Sequence, residues 1–276
     1  NTAGVYTMPG PGIAPDPNDP NTWPADPNTW PDPNDPNSLW DPNNPFVPAP
    51  IPHPRGSECG MGGGLVCWGS DASIEDCIIA QNTSNGSAGG VYFGGDPGTP
   101  CLWNSLVKEN TAQIGGGGIA SFWYAAPTIA NCTIVDNSVL DPNNLIRGYG
   151  GGLFCAYDSE TTLLNSIVWN NYAWQGSQIA VGGESDPIYV PRPAILTVKF
   201  SDVQYGLLDL HVEEGATLNW PSGNLDEDPL FVGGYHLSQP PVQPVTSPAV
   251  DAGSDLAMKL GLAGYTTRTD GVVDQG

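Results

Sequence analysis

The sequence predicts an all-β protein that coils as a parallel β-helix, and two interleaved repeats carry this prediction. Four segments share a seven-residue core, and its last positions are spaced by 28, 27 and 34 residues, with 35 more to a degenerate fifth copy. The second repeat is a glycine run followed by an apolar residue. Periods of 20 to 50 residues are typical of solenoids. The cores are Asp76–Asn82, Asn104–Asn110, Asn131–Asn137, Asn165–Asn171 and Phe200–Gly206, and the glycine repeats are Gly64-Leu65, Gly90-Val91, Gly118-Ile119 and Gly152-Leu153.

Alternation within each core predicts a short strand whose second and fourth positions face inward, as in Cys132 and Ile134. Position three varies and holds Thr133 and Asp202, so we expect it to face outward. The strand after each glycine run alternates in the same way. About 27 residues per turn leave no room for a crossover helix, so each rung should lie about 4.8 Å above the last. The inward pairs after the glycine runs are Leu65/Cys67, Val91/Phe93, Ile119/Ser121 and Leu153/Cys155.

The seventh position of the core predicts an asparagine ladder. Asparagine tolerates the left-handed turn conformation and can hydrogen-bond to its copy on the next rung. We therefore expect one stacked file of Asn82, Asn110, Asn137 and Asn171.

These motifs carry a resemblance. The glycine run and the pattern Ile129-x-Asn131-Cys132-x-Ile134-x-x-Asn137 resemble the right-handed parallel β-helix repeats of the pectate-lyase-like group. Downstream, the segments 224–231, 235–237 and 247–253 resemble the ending of secreted bacterial β-helix proteins of unknown function, and 269–276 is similar to the end of planctomycete-type members. The resemblance covers residues 62 to 276. It implies the fold and leaves the function open, because this fold hosts lyases, hydrolases, adhesins and inert stalks.

Composition narrows the function classes. Seven Lys and Arg stand against 29 Asp and Glu, for a net charge of −22. That balance excludes nucleic-acid binding, which needs clustered cations, and fits a secreted or cell-surface protein. The sequence has no run of 18 apolar residues, so we expect no membrane insertion. Because the chain begins with Asn1, we expect that a leader or larger precursor was removed.

The six cysteines indicate an exported protein only weakly. Cys77 and Cys132 occupy the same inward position two rungs apart, about 9.6 Å by strand spacing, which is too far for a disulfide. Cys59 and Cys101 fall in expected turns and are the better disulfide candidates.

Residues 1–55 form a separate region, an extended Pro/Trp-rich tail in which Asp-Pro-Asn recurs. Proline blocks helices and central strands, so this tail should be extended. Its anchors are Trp23, Trp30, Trp40 and Phe46. Two interpretations stay open: the tail packs along its own solenoid, or it reaches a neighbouring subunit. After it we expect β-helix rungs over residues 56–206, then irregular terminal rungs and a C-terminal cap over 207–276.

The search for catalytic groups yields three acidic residues, Asp76, Glu109 and Asp136, on or beside neighbouring turns. They fit either an acidic stripe of a glycoside hydrolase or a solvated ladder edge. A lyase would need a basic residue, for which Lys108 and Lys199 are the candidates within or beside the repeats. The three histidines lack metal-ligand spacing.

The sequence also contains two further candidate binding sites. Asp226 and Asp228 are candidate calcium ligands, since carboxylate oxygens suit that ion. The second candidate site is an aromatic strip suited to stacking on sugars. The alternative interpretation is that these aromatic residues stack on one another and stabilise the turns. The members of the strip are Trp103, Trp123, Tyr124 and Trp169.

From these observations we expect an extracellular structural protein, not an enzyme, whose β-helix subunits associate into a filament or surface layer through the tail. We expect no resident cofactor apart from a candidate calcium ion. A carbohydrate-binding or carbohydrate-degrading β-helix is the second interpretation. An adhesin or stalk fragment of a larger surface protein is the third.

Overall fold

The repeats fold into short strands that pair in parallel from one rung to the next. The computed structural model describes residues 60–95, 98–140, 148–182, 193–240, 243–255 and 259–260. Rungs 1 to 3 carry four strands each, rungs 4 and 5 three, and rung 6 two. The predicted all-β class and parallel β-helix are confirmed.

Four parallel sheets run along the solenoid. Sheet 1 contains β1 (Leu65–Trp68), β5 (Val91–Gly94), β9 (Ile119–Ser121), β13 (Leu153–Cys155), β16 (Ile179–Val181) and β19 (His211–Val212). Sheet 2 contains β2 (Ser73–Glu75), β6 (Cys101–Trp103), β10 (Thr128–Ala130), β14 (Glu160–Leu164), β17 (Ile195–Lys199) and β20 (Thr217–Asn219). Sheet 3 contains β3 (Ile78–Ala80), β7 (Leu106–Lys108), β11 (Thr133–Val135), β15 (Ile167–Trp169) and β18 (Asp202–Val203). Sheet 4 contains β4 (Thr83–Ser84), β8 (Thr111–Ala112) and β12 (Ser138–Val139). A 3₁₀ turn (Gly206–Leu208) precedes β19, and a hairpin of β21 (Phe231–Val232) and β22 (His236–Leu237) follows the last rung.

The core is built from files of inward side chains. In sheet 3, Ile134 pairs with Val107 below and Val168 above, and all three are fully buried. The second-position residues Ser105, Cys132, Ser166 and Ser201 are buried as well. The serines cap the turn: Ser166 Oγ, for example, accepts a hydrogen bond from the Cys132 N–H at 3.1 Å. The inward register of the repeats is therefore present.

The third position of the core gives a mixed result. Ile78 is 73% exposed, as an outward position predicts. Asp202, however, is only 3% exposed. The expectation that Asp202 faces solvent is wrong, because the segment after rung 6 covers it: Leu225 bridges to Asp202 and the Glu227 N–H donates to its carboxylate.

The glycine runs are explained by the closeness of successive rungs. A Cβ placed on Gly63, Gly89, Gly117 or Gly151 would lie 2.4 to 2.5 Å from a carbonyl oxygen of the next rung. That distance is too short for any side chain. In rung 5 the equivalent position is Ser177, and the described residues place no further glycine run above it.

Candidate functional site

The asparagine ladder lies in one file along the turn between sheets 3 and 4. In three steps, the Oδ1 of Asn110, Asn137 and Asn171 accepts from both the backbone N–H and the Nδ2 of the preceding asparagine, at 2.9 to 3.0 Å. The Nδ2 of the same three residues also donates to a backbone carbonyl at 2.9 Å. The ladder thus satisfies main-chain groups that the turns would otherwise leave unpaired.

Gln178 ends the ladder, and sequence reasoning missed it. Its Oε1 accepts from Asn171 Nδ2 at 2.8 Å, and its Nε2 donates to Gln204 Oε1 at 3.0 Å. Gln178 stands where the earlier rungs have Gly152 and its equivalents. The signal was present in the sequence: glycine is replaced by glutamine in the same rung in which the seventh position changes from Asn to Gly206.

The left-handed turn residues are not the ladder asparagines. Positive φ values occur instead at the first and sixth positions of the core, between 46° and 63°. The expectation that the four asparagines at position seven take this conformation is wrong; they act through their side-chain amides, whereas Gly206 of the fifth core has a φ of 48°. The first-position residues are Asp76, Asn104, Asn131, Asn165 and Phe200, and the sixth-position residues are Gln81, Glu109, Asp136, Asn170 and Tyr205.

The three candidate acidic residues do not converge. Asp76 is a first-position residue that accepts from Asn104 Nδ2 at 2.6 Å. Glu109 and Asp136 are sixth-position residues, which lie at the opposite end of the sheet 3 strands. The stripe predicted from sequence therefore separates into a pair on neighbouring rungs and a single residue elsewhere.

Both carboxylate oxygens of Glu109 are engaged. Gln81 Nε2 donates to Oε2 at 2.7 Å, and Lys108 Nζ lies 2.8 Å from Oε1. The hydrogen bond with Lys108 holds the pKa of Glu109 below its usual range. Lys108, one of the two candidate bases, is thus an ion-pair partner in this structure, and it also lies 5.4 Å from the ring centre of Tyr235. Lys199, the other candidate, ends β17 and is exposed.

Asp136 is held by the segment that follows rung 6. Asn170 Nδ2 and the Tyr235 hydroxyl each donate to one of its two oxygens. The hydrogen bond between Tyr235 and Asp136 raises the pKa of Tyr235. Further along, the Ser254 N–H donates to Asn165 Oδ1 at 2.9 Å. We call residues 224–240 and 243–255 the C-terminal clasp. It runs back along the outer face of sheet 3. The expected C-terminal cap over 207–276 stays a prediction, because most residues from 256 onward lie outside the described residues.

The candidate calcium ligands serve as turn caps. Asp226 Oδ1 accepts from the Tyr205 N–H at 2.7 Å, and Asp228 Oδ1 accepts from the Leu230 N–H at 2.9 Å. Within the described ranges, no three His, Cys, Asp or Glu side chains are grouped to hold a metal ion. A calcium ion at Asp226 and Asp228 therefore stays a prediction without a third acidic ligand beside it.

Asp202 is a titratable group that this segment covers. Its Oδ1 accepts from the Glu227 N–H at 3.2 Å, while its Oδ2 is buried without a hydrogen-bond partner. Burial raises the pKa of Asp202 to about 6, and the negative charges of Asp226, Glu227 and Asp228 add to that effect. Asp202 also lines a small cavity between sheet 3 and the clasp.

The predicted aromatic strip is not formed. Trp103 lies in β6 of sheet 2 and Trp169 in β15 of sheet 3, whereas Trp123 and Tyr124 follow β9 of sheet 1. Trp123 stacks on Tyr157 with ring centres 4.6 Å apart. A strip would need all four side chains on one face, but Trp103 and Trp169 lie in different sheets and the other two follow a strand of a third.

Two exposed aromatic residues were missed. Tyr172 is 57% exposed and Trp174 is 70% exposed, on either side of the buried Ala173. The alternation is a strand-like signal that the sequence contained, but it falls just beyond the fourth core and was not assigned to a strand.

Among the described residues, the core of the solenoid is only partly covered at both ends. The inward apolar residues of the middle rungs are buried, but those of the two end rungs are only partly covered. Large exposed apolar side chains are also frequent there, with Leu208 93% exposed. The partly covered residues are Leu65, Ala72, Ile74 and Ile79 in rung 1, and Leu210, Ala216, Leu218 and Trp220 in or beside rung 6.

Comparison with known families agrees with this geometry. Residues 61–191 match the model of a family described as a right handed beta helix region. The chain is a right-handed parallel β-helix. No curated protein and no solved structure matches the sequence of this β-helix.

The remaining predictions concern the cysteines, the anchors of the N-terminal tail and membrane insertion. Cys67, Cys77, Cys101, Cys132 and Cys155 are free. Cys101 lies in β6 and not in a turn, which corrects the sequence interpretation; Cys59 lies outside the described residues. The tail anchors Trp23, Trp30, Trp40 and Phe46 also lie outside them. In the described part of the chain, no helix is long and apolar enough to cross a membrane.

Proposed function

We propose that this β-helix is an extracellular structural protein that assembles with copies of itself into a filament or surface layer, using its N-terminal tail. One observation carries the proposal: in the described part of the chain, the inward apolar residues at both ends of the solenoid are only partly covered. Open β-helix ends expose strand edges, and solenoids normally cover them with polar capping repeats. A further copy stacked at each end would cover both edges.

The composition of the tail supports its part in assembly. Trp23, Trp30 and Trp40 each supply roughly 150 to 250 Å² of side-chain surface, and a segment so rich in proline cannot bury them in a core of its own. Proline also lowers the conformational entropy that an extended segment loses on docking. The acidic composition of the whole chain fits a solvated surface outside the cell.

The hydrogen bonding of the acidic residues also favours a structural role. A general acid or base must reach the reacting proton with an available oxygen. Both oxygens of Glu109 and both of Asp136 are already engaged by neighbouring rungs, Lys108 or the clasp. These contacts stabilise the stacking of rungs.

Deletion of residues 1–50 tests this function. We expect the truncated chain to keep the β-sheet circular dichroism of the full chain but to sediment as a monomer under conditions in which the full chain polymerises. Trp23→Ala combined with Trp30→Ala should weaken assembly in the same direction. Normal polymers from the truncated chain would refute the role of the tail.

A carbohydrate-binding role is the second candidate, and the exposed pair Tyr172 and Trp174 favours it, since aromatic faces stack on sugars. Affinity electrophoresis in polysaccharide gels, comparing the native chain with Trp174→Ala, tests this role. Retardation of the native chain alone would support it. Under the structural proposal we expect equal mobility, and no release of products from pectin or alginate with or without calcium.

A further inference from the structure

The two open ends of the solenoid match each other residue by residue. In sheet 1 the file that begins at Leu65 runs through Val91, Ile119, Leu153 and Ile179, and its register continues to Leu210. The neighbouring file begins at Cys67 and ends at Val212. Both files are apolar at their first and last members.

Sheet 2 shows the same match. The file that begins at Ile74 passes through Leu102, Ile129, Leu163 and Val198, and its register continues to Trp220. The file through Ala72 ends at Leu218, which pairs with Leu196. A copy stacked one strand spacing beyond rung 6 would therefore set a small residue on Leu218 and an aliphatic one on Trp220.

The free edges also have the polarity needed for pairing. The Cys101 N–H donates to the Ala72 carbonyl, and the Thr217 N–H donates to the Ala194 carbonyl, both at 2.9 Å. Main-chain groups of successive residues in a parallel strand point to opposite neighbours. The Ser73 N–H in β2 and the Leu218 N–H in β20 are thus directed away from the solenoid, one at each end.

Within the described ranges, the clasp does not cover the edge of sheets 1 and 2 in rung 6. From Leu225 it turns back along sheet 3 and reaches Asp136 of rung 3 and Asn165 of rung 4. Its described residues lead away from Leu210, Leu218 and Trp220, not over them.

We infer that the β-helix stacks head to tail, with rung 1 of a second copy seated on rung 6, so that sheets 1 and 2 continue through the junction. This inference rests on the proposed self-assembly and names its interface.

Charge sets the condition for stacking. Rung 1 carries Asp71 and Glu75 near its edge, and rung 6 carries Glu213 and Glu214. Like charges meet at this junction, so assembly should strengthen as salt screens them. The screening length falls from about 30 Å at 0.01 M to about 3 Å at 1 M ionic strength. An increase of polymer with salt is the expected result for the full chain.

Two variants with the tail intact test the interface by sedimentation velocity. Ser73→Pro removes the free N–H at one end, and proline is tolerated on an edge strand whose N–H faces solvent; Ser73→Ala is the matched control that keeps the N–H. Trp220→Asp places a charge at the other end, with Trp220→Phe as its control. We expect each blocked variant to be a folded monomer by circular dichroism, and both controls to polymerise.

Mixing the two blocked variants gives the decisive result. Each keeps one functional end, so an equal mixture should form dimers and nothing longer. Blocked variants that polymerise like the native chain, or folded variants whose mixture stays monomeric, overturn head-to-tail stacking. Polymers that depend on the ends but survive deletion of residues 1–50 would remove the tail from the proposed function and leave this interface. A full chain that is monomeric at every salt concentration would overturn both.

Discussion

Replacing Asn137 with alanine should destabilise the protein strongly, because this residue lies in the middle of the ladder. Its Oδ1 accepts two hydrogen bonds from Asn110, and its Nδ2 donates to the Val107 carbonyl and to Asn171. All four bonds are buried. At about 1 kcal/mol each, and more where a partner stays buried and unpaired, the loss is about 4 kcal/mol in the free energy of unfolding.

Asn82→Ala is the matched control at the end of the same ladder. The Asn82 side chain makes one ladder bond, from its Nδ2 to Asn110 Oδ1, and the site is partly exposed. The expected loss is about 1 kcal/mol. Urea unfolding followed by circular dichroism measures both variants against the native chain. Equal losses at Asn82 and Asn137 would refute the reasoning that the ladder stabilises through buried amide bonds.

Three other predictions follow from the core and the clasp. Ile134→Asp should unfold the middle rungs at a cost of several kcal/mol, whereas Thr133→Asp should change the melting temperature little. The pKa of Asp202 is raised to about 6 from 3.8, so its contribution to stability is present below about pH 4 and is lost as the pH rises through 6; melting temperatures across this range should fall, and Asp202→Asn should flatten the fall. Tyr235→Phe removes the bond to Asp136, and hydrogen exchange of the clasp should quicken by about fivefold, or about 1 kcal/mol, with the rungs unchanged.

Each of these predictions has an outcome that contradicts it. Similar melting losses for the substitutions at 133 and 134 would show that the inward register is reversed. An unchanged pH profile in Asp202→Asn would assign the titration to another group. Clasp amides that exchange at the native rate in Tyr235→Phe would mean that the hydroxyl does not hold the clasp.

The core could be predicted from sequence because its signal is local. Strand alternation has a period of two residues, so Cys132 and Ile134 reveal their side of the strand within one seven-residue segment. The repetition of that segment then fixes the stacking, since identical positions on parallel rungs lie above one another. Handedness came from the resemblance and from the family match.

The clasp could not be predicted because its contacts are distant in sequence and follow no repeat. Tyr235 reaches Asp136 across 99 positions, and Ser254 reaches Asn165 across 89. The pattern of the other cores predicts that Asp202 faces outward, and only the covering segment buries it. A local pattern specifies to which face of the sheet a side chain points. It does not specify which distant segment of the chain packs over that face.

The acidic residues show why function was harder to predict than fold. Glu109 and Asp136 occupy the same position in successive cores, so a one-dimensional pattern gives a carboxylate stripe like that of a hydrolase. In three dimensions the same repetition supplies each carboxylate with a partner about one rung away: Gln81 for Glu109 and Asn170 for Asp136. Stacking thus converts a candidate catalytic array into a ladder of amide–carboxylate pairs. In this solenoid, therefore, the donors on neighbouring rungs account for both carboxylates without a catalytic role.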